Sequence, residues 1–120
     1  MNKYPKYDLE ERTAKLGEDV IALCKTIRQN AITKPLISQF VRSTTSIGAN
    51  YMEANGAASR RDFANKINIC RKEAQESKHH LRMLLSYDSG LKPKAERVEK
   101  EILEVILIFG KIYGTLKNKE

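Results

Sequence analysis

Apolar side chains recur at three- and four-residue steps along most of the chain, the repeat of one helix face rather than of a half-buried strand. Thr13, Leu16, Val20, Leu23 and Ile27, with Cys24 beside them, predict a first helix over about 9–28. Asp8 and Glu11 stand at capping-box spacing in front of it, with Asp in place of Ser or Thr. Ile37, Phe40, Val41, Thr44, Ile47, Gly48 and Tyr51 share one face of a second helix over about 35–55, with Pro35 in its first turn and Gly56 as its stop. Phe63, Ile67, Cys70, Ala74, Ser77, Leu81 and Leu84 follow in strict 4-3-4-3-4-3 order. This is the seam of a third helix, 60–87, capped by Ser59 and Asp62 and ended by Tyr87 to Gly90. Val98, Ile102, Val105, Phe109, Ile112 and Leu116 repeat the seam in a fourth, 93–116. Helices of about 20 residues, each about 30 Å long, joined by short connectors, predict an all-α, antiparallel up-down-up-down four-helix bundle as a single domain over 1–120.

Two departures from a plain seam stand out. The second helix is dense in small residues (Ser43, Thr44, Thr45, Ser46, Gly48, Ala49), which costs helix propensity and is offset by close approach of a neighbour. The fourth is apolar on too many sides. Between Ile102 and Phe109 only Glu104 is polar. With Ile102, Val105, Ile106 and Phe109 turned to the core, Leu103, Leu107 and Ile108 point away from it. Such a second apolar surface predicts self-association, so the bundle is expected as a homo-oligomer joined through Leu103, Leu107 and Ile108. The plainer alternative is partial cover in the grooves between helices.

Composition narrows the class. The 120 residues are 41% hydrophobic, with only six glycines and three prolines, which suits a packed helical domain and argues against a disordered tail or a turn-rich β fold. Residues 1–7 are polar and basic, without a signal-peptide core, and the longest apolar run, Val105 to Phe109, is too short to span a bilayer. The expectation is a soluble, cytoplasmic protein with no membrane partner. Cys24 and Cys70 fall on apolar helix faces and match neither a disulfide framework nor a zinc pattern.

The net charge is +7, and the third helix holds the largest share: 59–90 carries seven basic and four acidic residues. It is also sorted. Arg60, Arg71, Lys78 and Arg82 project within about 40° of one another, with Arg61, Lys72 and His79 on the next strip. The opposite flank carries Asp62, Glu73 and Glu76, with Ile69 and His80 among them. Three readings stand side by side: a solvated face, a contact for RNA or DNA phosphates through Arg60, Arg61, Arg71, Lys72, Lys78 and Arg82, or a charge-complementary contact between subunits.

Catalytic chemistry does not assemble. Glu76 and His79 form one E-x-x-H pair, whereas di-iron bundles need two such pairs and two more glutamates, all facing inward. No nucleophile–base pairing or Gly-rich phosphate loop is present. The protein is expected to be no enzyme and to carry no metal or other cofactor. On the polar face of the second helix, Arg42, Ser46, Asn50 and Glu53 form a line, with Asn50 and Glu53 as candidates for subunit contact or for pinning a loop.

The stretch from Arg42 to Leu85 resembles the family of four-helix bundle proteins encoded in intervening sequences of bacterial 23S ribosomal RNA genes, historically mislabelled S23 ribosomal proteins. The residues that carry the likeness are Ser46-Ile47-Gly48-Ala49-Asn50, Glu53, Ser59, Asp62-Phe63, Lys72-Glu73-Ala74 and Glu76-Ser77. The first and fourth helices match mainly in length and pattern. The resemblance implies a cytoplasmic homopentamer with no known enzymatic activity, and marks Asn50, Glu53, Asp62, Glu73 and Glu76 as its motif residues. The chain is also similar to the accessory protein of diversity-generating retroelements, a basic pentameric bundle that engages nucleic acid and a reverse transcriptase. The family's aromatic pair ahead of the helix-three leucine, often Tyr-Trp, is here His79-His80 before Leu81, which exchanges an aromatic contact for a titratable one.

Overall fold

The repeat of apolar positions folds as it reads. The computed structural model describes residues 8–118, so the basic stretch 1–7 lies outside the described residues. Four helices follow in order: α1 (Leu9–Cys24), α2 (Thr33–Asn55), α3 (Arg60–Tyr87) and α4 (Lys92–Asn118). Among the described residues there is no strand, and no helix is long and apolar enough to cross a membrane. Each helix packs on two neighbours: α2 on α1 and α3, α4 on α3 and α1.

The core lies on the expected faces. All seven seam residues of α3 are buried, as are Leu16, Val20, Phe40, Ile47, Tyr51, Val98, Ile102, Val105, Phe109 and Ile112. The Tyr51 and Phe109 rings meet at a centroid distance of 5.9 Å. The small residues of α2 serve a close approach. An ideal Cβ on Gly48 would stand 3.2 Å from Thr13 Oγ1, and one on Gly17 would stand 3.6 Å from Thr45 Cγ2. Ser77 Oγ donates to Glu73 O and lies 2.9 Å from Ser43 Oγ, so both hydroxyls at this tight α2–α3 crossing are satisfied. Cys24 and Cys70 are buried, and burial pushes their thiols up to about 11 and about 12, far from a reactive thiolate.

Helix ends depart from the sequence reading where side chains compete for backbone groups. α1 stops at Cys24 rather than near 28, because Thr26 and Ile27 donate to carbonyls three residues back and tighten the chain into a turn. Asn30 Oδ1 then accepts from the amides of Ile32 and Thr33, so α2 opens at Thr33, with Pro35 inside its first turn. Asp8 makes no side-chain cap. Its backbone is left-handed (φ 47°), not the extended conformation from which an N-cap side chain accepts first-turn amides. Ser59 does cap α3, its Oγ accepting from the Asp62 amide at 3.0 Å. A 3-10 turn, Ser89–Leu91, joins α3 to α4, and Asp88 Oδ1 accepts from the Gly90 amide within it.

One expectation about α4 is corrected. Leu103 and Leu107 are 41% and 70% exposed, but Ile108 is only 7% exposed and belongs to the core. It lies two turns beyond Glu101, whose carboxylate takes a two-pronged bond from Arg12 at 2.8 and 2.9 Å, and that flank of α4 is the one α1 covers. The apolar face of α4 is therefore wider than its seam, and the outer surface is narrower than the sequence suggests.

Candidate nucleic-acid interface

The two flanks of α3 have different fates. The acidic flank is turned to α2, where its charge is met inside the chain. Arg42 on α2 bonds Glu73 Oε2 at 3.3 Å and Glu76 Oε1 at 2.9 Å, and Lys66 bonds Glu53 on α2 at 2.9 Å. Both carboxylates raise the Arg42 guanidinium above its usual value against the opposing effect of burial. The motif residues Asn50, Glu53, Asp62, Glu73 and Glu76 thus have structural partners. Asn50 Nδ2 donates to Ser46 O one turn back, and the Asp62 amide takes the Ser59 cap. A subunit contact between the basic flank of one α3 and the acidic flank of another would have to displace Arg42.

The basic flank is turned to α4 and stays uncompensated. Among the described residues, Arg60, Arg61, Lys72, Lys78 and Arg82 form no ion pair with any carboxylate. Arg71 differs from its neighbours. Its Nε and Nη2 donate to Asn68 Oδ1 at 3.1 and 2.8 Å, and its guanidinium lies 5.5 Å from the centre of the Tyr113 ring on α4. It is a packing residue between α3 and α4 more than a free cation.

Two of these cations, Lys78 and Arg82, meet Lys92 of α4 at one end of the bundle. A groove of about 580 Å³ runs between the end of α3 and the start of α4, lined by Lys78, His79, Arg82 and Lys92, with Ser86 and Ser89 between them. One carboxylate, Glu99, shares it. Lys92 is the first residue of α4, and no acidic residue occupies that first turn, so the positive end of the helix dipole adds to the same field. Three solvated cations beside a helix N-terminus attract a phosphate by charge alone, whatever the base sequence. Arg60 and Arg61 stand at the far end of the same helix, about 30 Å away at 1.5 Å per residue.

The sequence brings out Lys78, His79 and Arg82 but not Lys92, which lies 10 positions beyond Arg82 on another helix. The turn Ser89–Leu91 carries it back beside α3. The signal available in the sequence was the absence of acid at the start of α4. His80 sits on the other flank, half-buried, with Nε2 enclosed and without a hydrogen-bond partner among the described residues. Glu76 pairs with Arg42, not with His79, and among the described residues no three His, Cys, Asp or Glu side chains cluster as metal ligands would.

The family model described as 23S rRNA-intervening sequence protein matches residues 6–111. Among solved structures the chain is similar to a protein of unknown function from the S23 ribosomal protein family of Bacteroides thetaiotaomicron VPI-5482. That likeness has 29% sequence identity and a TM-score of 0.77, and covers 87% of this chain and 96% of the other. No curated protein matches the chain.

Proposed function

This chain belongs to the 23S rRNA-intervening sequence protein family, and from that premise and the uncompensated α3–α4 groove we propose a non-enzymatic, homo-oligomeric bundle that binds RNA or DNA through its basic surface. Neighbouring helices touch in opposite senses: Glu10 with Asn55, Arg42 with Glu76, Lys66 with Glu53, and Asp19 with Arg97. These contacts support an up-down-up-down arrangement. Five chains per assembly, a cytoplasmic setting and a reverse transcriptase as a further partner rest on the resemblance of the Arg42–Leu85 stretch.

The observation that carries the nucleic-acid reading is the set Lys78, Arg82 and Lys92, without an ion pair among the described residues around one groove. The test is binding of a structured RNA and of duplex DNA at low salt, by fluorescence anisotropy, for the native chain and for Lys78→Glu/Arg82→Glu/Lys92→Glu. Reversal should weaken binding at least 100-fold while the mass in solution is unchanged. Undetectable binding by the native chain at low salt contradicts the proposal. That result would favour a second reading, a protein-interaction scaffold or adaptor that binds no nucleic acid, which draws on the exposed Met52 and Leu107. Loss of the oligomer on reversal would instead assign the basic flank to a subunit contact.

A further inference from the structure

A second groove, of about 610 Å³, lies between α1 and α2. Its floor is Ala14, Gly17, Gly48 and Ala49, and its apolar walls include Ile21 and Met52, which are 44% and 70% exposed. Its rim is acidic. Glu10, Glu11 and Glu18 line it, and Glu11 and Glu18 form no ion pair among the described residues. Gly17 and Gly48 bring α1 and α2 together beneath it, and the exposed Ala14 and Ala49 above them leave room for the projecting side chains of a third helix.

The same chain presents a matching ridge. Lys100, Leu103, Leu107 and Lys111 stand at steps of three, four and four on α4, and all four are exposed. The ridge is two leucines bracketed by cations, and the groove is an apolar trough bracketed by carboxylates. Lys100 approaches Glu96 on its own helix at 3.6 Å, an exposed pair that is readily exchanged. The strip that holds Leu103 and Leu107 also holds Glu99, which lines the α3–α4 groove, and Gly110, on which a Cβ would meet Arg71 at 3.8 Å. The leucines of the ridge therefore face outward on the α3 side of α4. The trough belongs to the α1–α2 side. Since α1 packs on α2 and α4, and α3 on those same two helices, these sides face opposite ways.

We propose that the α4 ridge of one copy of this chain seats in the acidic α1–α2 groove of the next. No chain can fill its own groove, and the two surfaces differ, so the contact is heterologous and passes from copy to copy until a ring closes or a filament grows. The inference deepens the homo-oligomeric reading and rests on it. It also gives Leu103 and Leu107 a partner while leaving Lys78, Arg82 and Lys92 at the end of the ridge.

Complementation tests it. Leu107→Glu spoils the ridge, and Ala49→Arg spoils the groove by placing a cation where the ridge lysines arrive. Both positions are exposed. Met52→Lys is a second groove variant, and circular dichroism verifies folding. By light scattering each variant alone should fall to the mass of one chain, 13.7 kDa. An equal mixture of the Leu107→Glu and Ala49→Arg chains retains one intact ridge and one intact groove. It should double in mass and grow no further. A native chain that is monomeric would overturn the homo-oligomeric reading itself. A native oligomer whose mass survives both substitutions, or two monomeric variants that ignore each other on mixing, would overturn this interface alone.

Discussion

His80 shows how a single side chain ties charge to stability. Burial lowers its pKa below the ordinary 6.5, the neighbouring His79 lowers it further, and Glu76 opposes both while Arg42 on α2 adds to the lowering. Below 6.5 the unfolded chain takes up a proton that the folded chain resists, so this residue makes stability fall as pH falls from the ordinary value towards the folded one. The melting temperature should therefore be lower at about pH 5.5 than at about pH 7.5. His80→Asn should flatten that slope, as thermal unfolding at the two pH values would show. An unchanged slope would mean that other groups titrate there. The His-His pair is plain in the sequence, but the asymmetry between its members is not. His80 turns to α2 and its half-buried flank, whereas His79 lines the open groove.

At the scale of an element, the apolar repeat carries most of the information. The seam of α3 is legible residue by residue because each step lands on the buried face, and its start is legible because Ser59 does cap. The end of α1 is not, since Ile27 continues the apolar rhythm while its amide leaves the helix. The place of Ile108 is not legible for a related reason. A single wheel gives the direction of a side chain, but which flanks are covered depends on two neighbours, and α1 covers the flank that Arg12 and Glu101 clasp. Glycines bring out the same dependence in a form that can be measured. Gly114 has no heavy atom within 4 Å of an ideal Cβ, so Gly114→Ala should stabilise the protein by about 1 kcal/mol through helix propensity. Gly48→Ala gains the same propensity but drives a methyl against Thr13, whose Oγ1 is held 2.6 Å from Leu9 O. It should destabilise by about 1 kcal/mol net, since a well-packed contact must open. Urea unfolding of the two variants should give shifts of opposite sign, and shifts of like sign would contradict the close α1–α2 approach.

At the scale of the whole molecule, the charge of +7 becomes a geometry. α2 absorbs the acidic flank of α3 through Arg42, α1 and α2 expose a carboxylate-rimmed trough, and α3 with α4 exposes cations around an open groove. The sorting of charge along α3 is legible because it follows the wheel of one helix. The neutralisation of one flank and the arrival of Lys92 at the other depend on which helices become neighbours, and no local pattern encodes that. The outcome is a molecule with an acidic side and a basic side. The proposed assembly and the proposed ligand use different parts of that basic side, and Leu107→Glu should therefore change mass while leaving phosphate attraction at the Lys78 end in place.

The nucleic-acid claim is tested most directly by the salt dependence of binding to a structured RNA. Each phosphate met by a cation contributes a slope of about −0.7 to −0.9 to log K against log salt, so engagement of Lys78, Arg82 and Lys92 together predicts a slope of about −2 or steeper. Lys78→Glu/Arg82→Glu/Lys92→Glu should bring that slope close to zero at unchanged mass. Affinity that is independent of salt, or a slope that survives the triple reversal, would contradict the account.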